Sequence, residues 1–564
     1  MDRNTNIKSL VCDRDWCTIF SPDGWRAVLE ATPVPDREGC LKGYLYTTTW
    51  EAVQAAAAAG CNWCRLIRGG TRGEVEVLAA CDEASDCTPA GDKRLKITVN
   101  GLSRTRSFSF QSFLMYTAAG DPAAKHIAAR ERITDVATPE SFRLAQACMD
   151  KCVQSHSDCP KPNLATLLPD RVIDCSNVDR PLITLTNGIL RGTYITLSYV
   201  WGGKQPMTTT CNIAEYTTLG IDASALPQTV RDAISVTHSL GQRYLWIDAL
   251  CILQDSDQDK ARQLGDMGRI YRDSYLTINA ACAANTWEGF LHKPRPQRVP
   301  TARLPYRSAD DPAVVGTINV AHVSETDSGD ASRTYWDEME PISHRGWTLQ
   351  ERLLPPRSLI YASDTLKYHC QTEVVSIGGA LCEPTTAMRL PKAFLPQPDP
   401  AATGSGPGTR VLSAEERKTA RQAWLSVVFV YTLRSISFES DKLPAVGGVA
   451  EQFAKVTGHA YLAGLWRESL LFDLLWSVED DDGTTADKRR PQTYRAPSWS
   501  WASVNGLISA AFLEETALAV GVELKQAEVV NCWVKPAAKN VPFGEVTDGV
   551  LRLRGCRREV EFAA

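Results

Sequence analysis

The order of apolar and polar residues predicts alternating strands and helices in the middle of the chain. A β-branched and aromatic run at 194–201 ends at two glycines, which is typical of a buried strand followed by a turn. Residues 226–240 repeat apolar side chains with helical spacing, and a second strand is predicted at 243–248. A helix near 259–271 and a strand at 275–281 continue the alternation. Strands joined by single helices favour right-handed βαβ units and a parallel sheet.

The flanking regions have other patterns, and 564 residues exceed the roughly 250–300 that one core accommodates. A helical pattern opens at Ser413 with capping-box character, and alternating segments at 517–523 and 549–554 predict antiparallel strands. We therefore predict an α/β protein with a Rossmann-like central domain. Its expected segments are a Cys-rich N-terminal region (1–185), the central domain (186–376), a Pro/Gly-rich connector (377–412), a helical region (413–485) and a β-rich C-terminal region (486–564).

Charge and hydropathy exclude some classes of partner. The 61 basic and 66 acidic residues give a net charge of −5, which offers no electrostatic footprint for nucleic acid or an anionic membrane. No segment approaches the roughly 18 apolar residues that span a bilayer, and the first residues lack the pattern of a secretory signal. We expect a cytoplasmic protein, in which cysteines are thiols or metal ligands rather than disulfides.

Eleven of the 18 cysteines precede residue 180. Cys61 and Cys64 form a CxxC pair, and a second cluster places three thiols and an imidazole within twelve residues. Such sets commonly hold tetrahedral zinc, and a structural zinc ion would stabilise the fold here. In the alternative interpretation, the thiols pack as small apolar side chains. The candidate metal ligands are Cys148, Cys152, His156 and Cys159.

Polar residues follow the second predicted strand. Asp248 lies near its carboxyl end, and Cys251 and Gln254 come shortly after. Ligands of open α/β sheets bind outside the carboxyl ends of the strands. The sequence therefore predicts that these residues lie near a binding crevice.

Three blocks of the chain resemble the fungal heterokaryon-incompatibility (HET) domain family. They are LSYVWG at 197–202, LWIDALCILQD at 245–255 and RGWTLQERLL at 345–354, and they occur in the family's order and spacing. The Cys pair at 61–64, the Cys/His cluster and YRAPSWSWA at 494–502 also resemble what flanks this domain, so the resemblance covers most of the chain.

The resemblance implies a function in vegetative self/non-self recognition that ends in cell death when incompatible strains fuse. It also implies a fold related to TIR domains, some of which cleave NAD. Self-association or a partner protein is then expected, together with a small-molecule or nucleotide ligand such as NAD. The sequence contains neither a repeat array nor a P-loop. This departure leaves open an alternative, a small-molecule enzyme of secondary metabolism that uses the same scaffold with Cys251 or Glu351 in its pocket.

Four interpretations of the motif residues stay open. In the first they line a nucleotide crevice, where a carboxylate such as Glu351 stabilises a developing oxocarbenium ion. In the second Cys251 is a nucleophile that needs a histidine base. In the third the polar side chains form a structural ion-pair network and the tryptophans pack in the core, and in the fourth they form a protein-interaction surface. The candidates are Glu351, Asp248 and Cys251 for catalysis, Ser198, Trp201, Gln254, Arg345, Trp347 and Gln350 for ligand binding, and His238, His344 and His369 as the base for Cys251.

Overall fold

The computed structural model contains two large sheets, several two-stranded sheets and a set of helices. Strands are β1 (Tyr44–Thr49), β2 (Glu74–Glu83), β3 (Lys93–Gly101), β4 (Phe108–Tyr116), β5 (Arg171–Asp174), β6 (Leu182–Leu185), β7 (Ile195–Ser198), β8 (Tyr244–Trp246), β9 (Leu276–Asn279), β10 (Ala302–Arg307), β11 (Val315–His322), β12 (Arg357–Tyr361), β13 (Leu366–Cys370), β14 (Val374–Ser376), β15 (Tyr461–Leu462), β16 (Leu465–Trp466), β17 (Ser477–Val478), β18 (Ile508–Ser509), β19 (Ala527–Pro536) and β20 (Val546–Gly555). Helices are α1 (Pro22–Leu29), α2 (Trp50–Ala58), α3 (Asn62–Leu66), α4 (Pro139–Ser155), α5 (Ile213–Thr218), α6 (Gln228–Ser239), α7 (Asp248–Cys251), α8 (Asp257–Arg272), α9 (Thr348–Leu353), α10 (Ala414–Thr432), α11 (Pro444–Thr457) and α12 (Leu470–Asp473).

The structure describes most of the chain, and all statements below concern that part. The described residues are 19–31, 34, 42–69, 72–83, 93–101, 108–297, 299–308, 310–311, 313–322, 339–380, 389–394, 413–479, 490–509, 527–539 and 541–555.

The central sheet has eight strands in the order β14-β13-β12-β9-β7-β8-β5-β6. The four inner strands β12, β9, β7 and β8 are parallel, and every residue of β7 and β9 is buried, as expected for strands covered on both faces. The prediction of a parallel sheet is correct for these four strands and wrong for the whole sheet, which is mixed. The connections from β5 to β6 and from β12 through β14 are too short for a crossover, so those strands pair antiparallel.

The first sheet is an antiparallel half-barrel of six strands in the order β1-β2-β3-β4-β11-β10. Its core contains the side chains of Trp25, Trp63, Cys61 and Cys64. The segment boundary that the sequence predicts at residue 185 does not separate the two sheets. β5 and β6 precede it and join the central sheet, whereas β10 and β11 follow it and join the half-barrel.

The C-terminal part is mainly helical and packs on the central domain. Ser413 and Glu416 form the predicted capping box at the start of α10. Helix α11 crosses α8 closely, because a Cβ atom on Gly268 would lie 2.6 Å from the Cα of Gly448. The strand predicted at 549–554 lies within β20, which pairs with β19 in a two-stranded ribbon. The strand predicted at 517–523 and most of the connector lie outside the described residues.

None of the described helices combines the length and the apolar character needed to cross a lipid bilayer.

Candidate functional site

Polar side chains meet where the inner parallel strands end. Ser198 is the last residue of β7, Asn279 is the last residue of β9 and its partner in register, and Asp248 follows β8 at the start of α7. Arg345 and Glu351 come from the third motif block, which contains α9. We call these five residues the strand-end cluster.

Glu351 lies inside this cluster with only 4 % of its surface exposed. Its carboxylate accepts a 2.5 Å hydrogen bond from the hydroxyl of Ser198. Burial raises the pKa of Glu351 to about 7, although the Arg345 cation and the Ser198 hydrogen bond both act to lower it. Both protonation states of Glu351 are therefore populated near neutral pH.

Asp248 is the second acid of the cluster. Its carboxylate accepts hydrogen bonds from the indole of Trp201 (2.8 Å) and from the amide of Ala249 (2.7 Å). Burial raises its pKa, and the Arg345 cation opposes that effect. Gln254 donates to the backbone carbonyl of Asp248 at 3.1 Å, so it supports the turn rather than the carboxylate.

Arg345 is the cation that acts on both acids. Its guanidinium donates a 2.5 Å hydrogen bond to the carbonyl of Tyr199, and its charge lowers the pKa of both Asp248 and Glu351. Within the described part of the chain, no carboxylate lies within 4.0 Å of this guanidinium. One positive charge therefore acts on both acids without a direct ion pair to either.

Trp347 and Gln350 point away from the cluster, towards the C-terminal helices. The indole of Trp347 donates to Asp441 at 2.9 Å, and Gln350 accepts from the amide of Gly448 at 3.2 Å. These two candidate ligand residues attach α9 to the C-terminal region. This attachment was not predictable from local pattern, because both partners lie about a hundred residues later in a different segment.

Cys251 is fully buried at the end of α7, and burial raises the pKa of its thiol to about 12. Its carbonyl accepts a 2.6 Å hydrogen bond from Arg171. Among the described residues no imidazole hydrogen-bonds its sulfur, and His238 contacts the carbonyl of Cys175 instead, at 3.1 Å. This environment keeps the thiol protonated and is unlike that of an activated nucleophile.

A small cleft of about 20 Å³ lies beside the strand-end cluster, over the ends of β9 and β12. Asn279 belongs to both the cluster and the cleft wall, and its buried side-chain oxygen has no hydrogen-bond partner among the described residues. The motif blocks predict only part of this wall, since Glu340 and Arg434 lie outside them. The lining residues are Asn279, Ala281, Glu340, Ile342, Ser343, Thr348, Arg352, Ile360 and Arg434.

Three of the four predicted metal ligands lie together in a separate place. Cys152, His156 and Cys159 gather with Cys370, and their ligand atoms all lie within 4.8 Å of one another. Cys148, on α4, is not part of this group. Cys370 was missed because it stands far along the chain on β13, and only the fold brings it to the end of α4.

Comparison with known proteins identifies the central part of the chain. Residues 194–351 match the family model described as Heterokaryon incompatibility protein (HET). The matched segment contains all five residues of the strand-end cluster, and its last residue is Glu351. No curated protein and no solved structure matches the chain. The chain therefore contains a HET domain over residues 194–351.

Proposed function

We propose that this protein acts in incompatibility-type self/non-self recognition, and that its strand-end cluster cleaves the nicotinamide–ribose bond of NAD as the cell-death signal. The observation that carries the proposal is Glu351, a buried carboxyl with a pKa of about 7 within the HET domain. Perturbed acids of this kind occur often at functional sites.

The chemistry needs one well-placed carboxylate. The bond between C1′ of the ribose and the nicotinamide nitrogen breaks, and its electron pair leaves with nicotinamide. Positive charge then develops on the ribose, and an ionised Glu351 stabilises it at short range in a medium of low dielectric. Water adds to C1′ and releases a proton, which gives ADP-ribose. The 2.5 Å hydrogen bond from Ser198 fixes the orientation of the carboxylate.

The cleft beside the cluster supports a nucleotide as the ligand. Arg352 and Arg434 line it, and guanidinium groups are suited to phosphate. The unpartnered side-chain oxygen of Asn279 offers an acceptor to a ribose hydroxyl. These features favour a phosphorylated sugar over an apolar metabolite.

The site is closed in this conformation. Glu351 is 4 % exposed, and the cleft, at about 20 Å³, has room for about one water molecule and is far smaller than a ligand pocket. The hydrogen bonds of Trp347 to Asp441 and of Gln350 to Gly448 hold α9 against the C-terminal helices. We expect that recognition of a partner protein or of a second copy moves this contact and admits the substrate.

In the test, the purified full chain is incubated with NAD and with a fungal metabolite extract. Mass spectrometry measures the release of nicotinamide and the loss of any other metabolite. Glu351→Gln should abolish release. Glu288→Gln is the matched control, because Glu288 is an exposed carboxylate of the same domain that pairs with Lys293. Equal release by the wild type and Glu351→Gln would exclude Glu351 from the reaction. Consumption of a metabolite other than a nucleotide would favour the biosynthetic alternative.

A second test is made in cells, because the recognition partner is present only in the cell. It measures growth arrest and the cellular concentration of NAD. Expression of the wild type with an incompatible partner should lower cellular NAD and stop growth, and Glu351→Gln should prevent both. Growth arrest by Glu351→Gln with unchanged NAD would support recognition by assembly alone and contradict the enzymatic part of the proposal.

A further inference from the structure

We propose that Cys152, His156, Cys159 and Cys370 bind one Zn²⁺ ion, which fastens helix α4 to the edge of the central sheet. All four side chains are buried, and their ligand atoms lie within 4.8 Å of one another. Three thiolates and one imidazole are a common ligand set of structural zinc sites. This site is independent of the strand-end cluster and of the function proposed for it.

The distances agree with a tetrahedron around zinc. The Nδ1 atom of His156 lies 3.4 Å from the sulfur of Cys370 and 3.8 Å from the sulfur of Cys159. With Zn–S bonds of about 2.3 Å and a Zn–N bond of about 2.0 Å, the sulfur-to-nitrogen edge of a tetrahedron is about 3.5 Å. The two separations from His156 are therefore close to those that a bound zinc ion requires, and all four ligand atoms lie within 4.8 Å of one another.

The surroundings orient these groups as ligands. His156 turns Nδ1 towards the thiols, while its Nε2 lies 3.7 Å from the carboxylate of Glu373. The backbone amide of Glu373 donates to the sulfur of Cys370 at 3.4 Å, and the hydroxyl of Thr372 lies 3.3 Å from the sulfur of Cys159. A carboxylate behind the histidine and hydrogen bonds to the sulfurs are the usual outer contacts of a zinc site.

The charge balance also favours a metal thiolate centre. A Zn²⁺ ion with three thiolates and a neutral imidazole carries a net charge of −1. Arg357 is 2 % exposed, and its Nε lies 3.3 Å from the sulfur of Cys152. Within the described part of the chain, no carboxylate forms an ion pair with Arg357. Because a buried cation needs a counter-charge, the net negative charge of a zinc–thiolate centre would be stabilised beside this guanidinium.

The ion would join distant parts of the chain. Cys152 lies on α4, and His156 caps its end. Cys370 lies on β13, 214 positions after His156 in the sequence. The bound ion would therefore hold the end of the N-terminal region against the outer hairpin of the central sheet. Its expected role is structural, because four protein ligands leave no open position for a substrate.

The experiment measures zinc per chain in the full-length protein, produced in zinc-supplemented medium and purified without chelators. The wild type should contain one zinc ion, Cys370→Ser should lose it, and Cys148→Ser should keep it. Cys148 is the matched control because it lies one turn before Cys152 on the same helix but outside the cluster. Absence of zinc in the wild type, or equal zinc in the two variants, would overturn the proposal.

A second measurement does not depend on how the variants fold. Wild-type protein produced with Co²⁺ in place of zinc should show the visible bands of tetrahedral cobalt together with strong thiolate-to-metal charge transfer. An octahedral spectrum without charge transfer would contradict the site. An intact mass two hydrogens lower, mapped to a Cys152–Cys370 disulfide, would also contradict it.

Discussion

The hydroxyl of Ser198 donates a 2.5 Å hydrogen bond to the carboxylate of Glu351, although 153 residues separate the two in sequence. The bond joins the first and third motif blocks of the HET domain at the carboxyl end of β7. Burial favours the neutral form of the Glu351 carboxyl, whereas the hydrogen bond from Ser198 favours the ionised form. The pH dependence of stability and of any turnover should therefore respond to both residues.

Glu351→Gln should change how stability depends on pH. Burial raises the pKa of Glu351 from 4.5 to about 7, so the folded state retains a proton that the unfolded state has lost. Folding stability from this group is fully present below about pH 4.5 and declines as the pH rises towards 7. The variant should gain stability over the wild type with rising pH, by at most about 3.5 kcal/mol at about 1.4 kcal/mol per pKa unit. Urea unfolding near pH 5 and near pH 8 measures this gain, and an equal difference at both values would contradict the raised pKa.

Ser198→Ala should shift to higher pH the range over which Glu351 loses its contribution to folding stability. The Ser198 hydrogen bond lowers the pKa of Glu351, so its loss leaves burial less opposed. Comparing wild type and Ser198→Ala, each with and without Glu351→Gln, isolates the contribution of this acid. Ser343→Ala is the control, because Ser343 lines the nearby cleft. If this pH range is the same in Ser198→Ala and in the wild type, the Ser198 hydrogen bond does not lower the pKa of Glu351.

Gly268→Ala should destabilise the protein by about 1–3 kcal/mol, a typical cost of overpacking. The added Cβ atom would lie 2.6 Å from the Cα of Gly448, where backbone meets backbone and neither helix can yield locally. Gly265→Ala is the control on the same helix, because its Cβ meets only a side-chain methyl of Val541 at 3.1 Å. In thermal unfolding, Gly268→Ala should have a lower midpoint temperature than Gly265→Ala. Equal midpoints would contradict the close contact of α8 and α11.

Glu373→Gln should weaken zinc binding by about 10–100-fold, the usual effect of removing an outer-shell partner of a metal ligand. The carboxylate lies 3.7 Å from His156 Nε2, and the amide of glutamine carries no charge to stabilise the imidazole. Glu140→Gln is the control, because Glu140 lies exposed at the start of α4 and pairs with Arg143. Competition with a coloured chelator measures both affinities, and identical values would remove Glu373 from the site.

Local pattern was sufficient for the inner strands and the helices between them. The apolar runs at β7, β8 and β9 and the helical periodicity of α6 and α8 agree with the structure within a few residues. The position of Asp248 near the carboxyl end of the second predicted strand followed from the same pattern, although β8 ends two residues earlier. These features were accessible because burial on both faces of a strand, or on one face of a helix, appears directly in the order of residue types.

Pairing between distant segments was not accessible in this way. Nothing local distinguishes β10 and β11 from strands of the central sheet, yet they pair with β4. Two similar cases concern single residues. The thiol cluster contains Cys370 instead of the predicted Cys148, and Arg434 lines the cleft although it lies outside the motif blocks. Each depends on which chain segments the fold brings together, and a single sequence does not record that.

The late pairing of β11 with β4 has a consequence for synthesis on the ribosome. β4 ends at Tyr116, and β11 ends at His322. At about 5–20 residues per second, translation needs roughly 10–40 s to produce the segment between them. During that interval the nascent half-barrel exposes a strand edge with free amide and carbonyl groups, which attracts other extended chains. Chaperone demand should therefore be greatest before residue 322 leaves the exit tunnel, when the β4 edge has no partner.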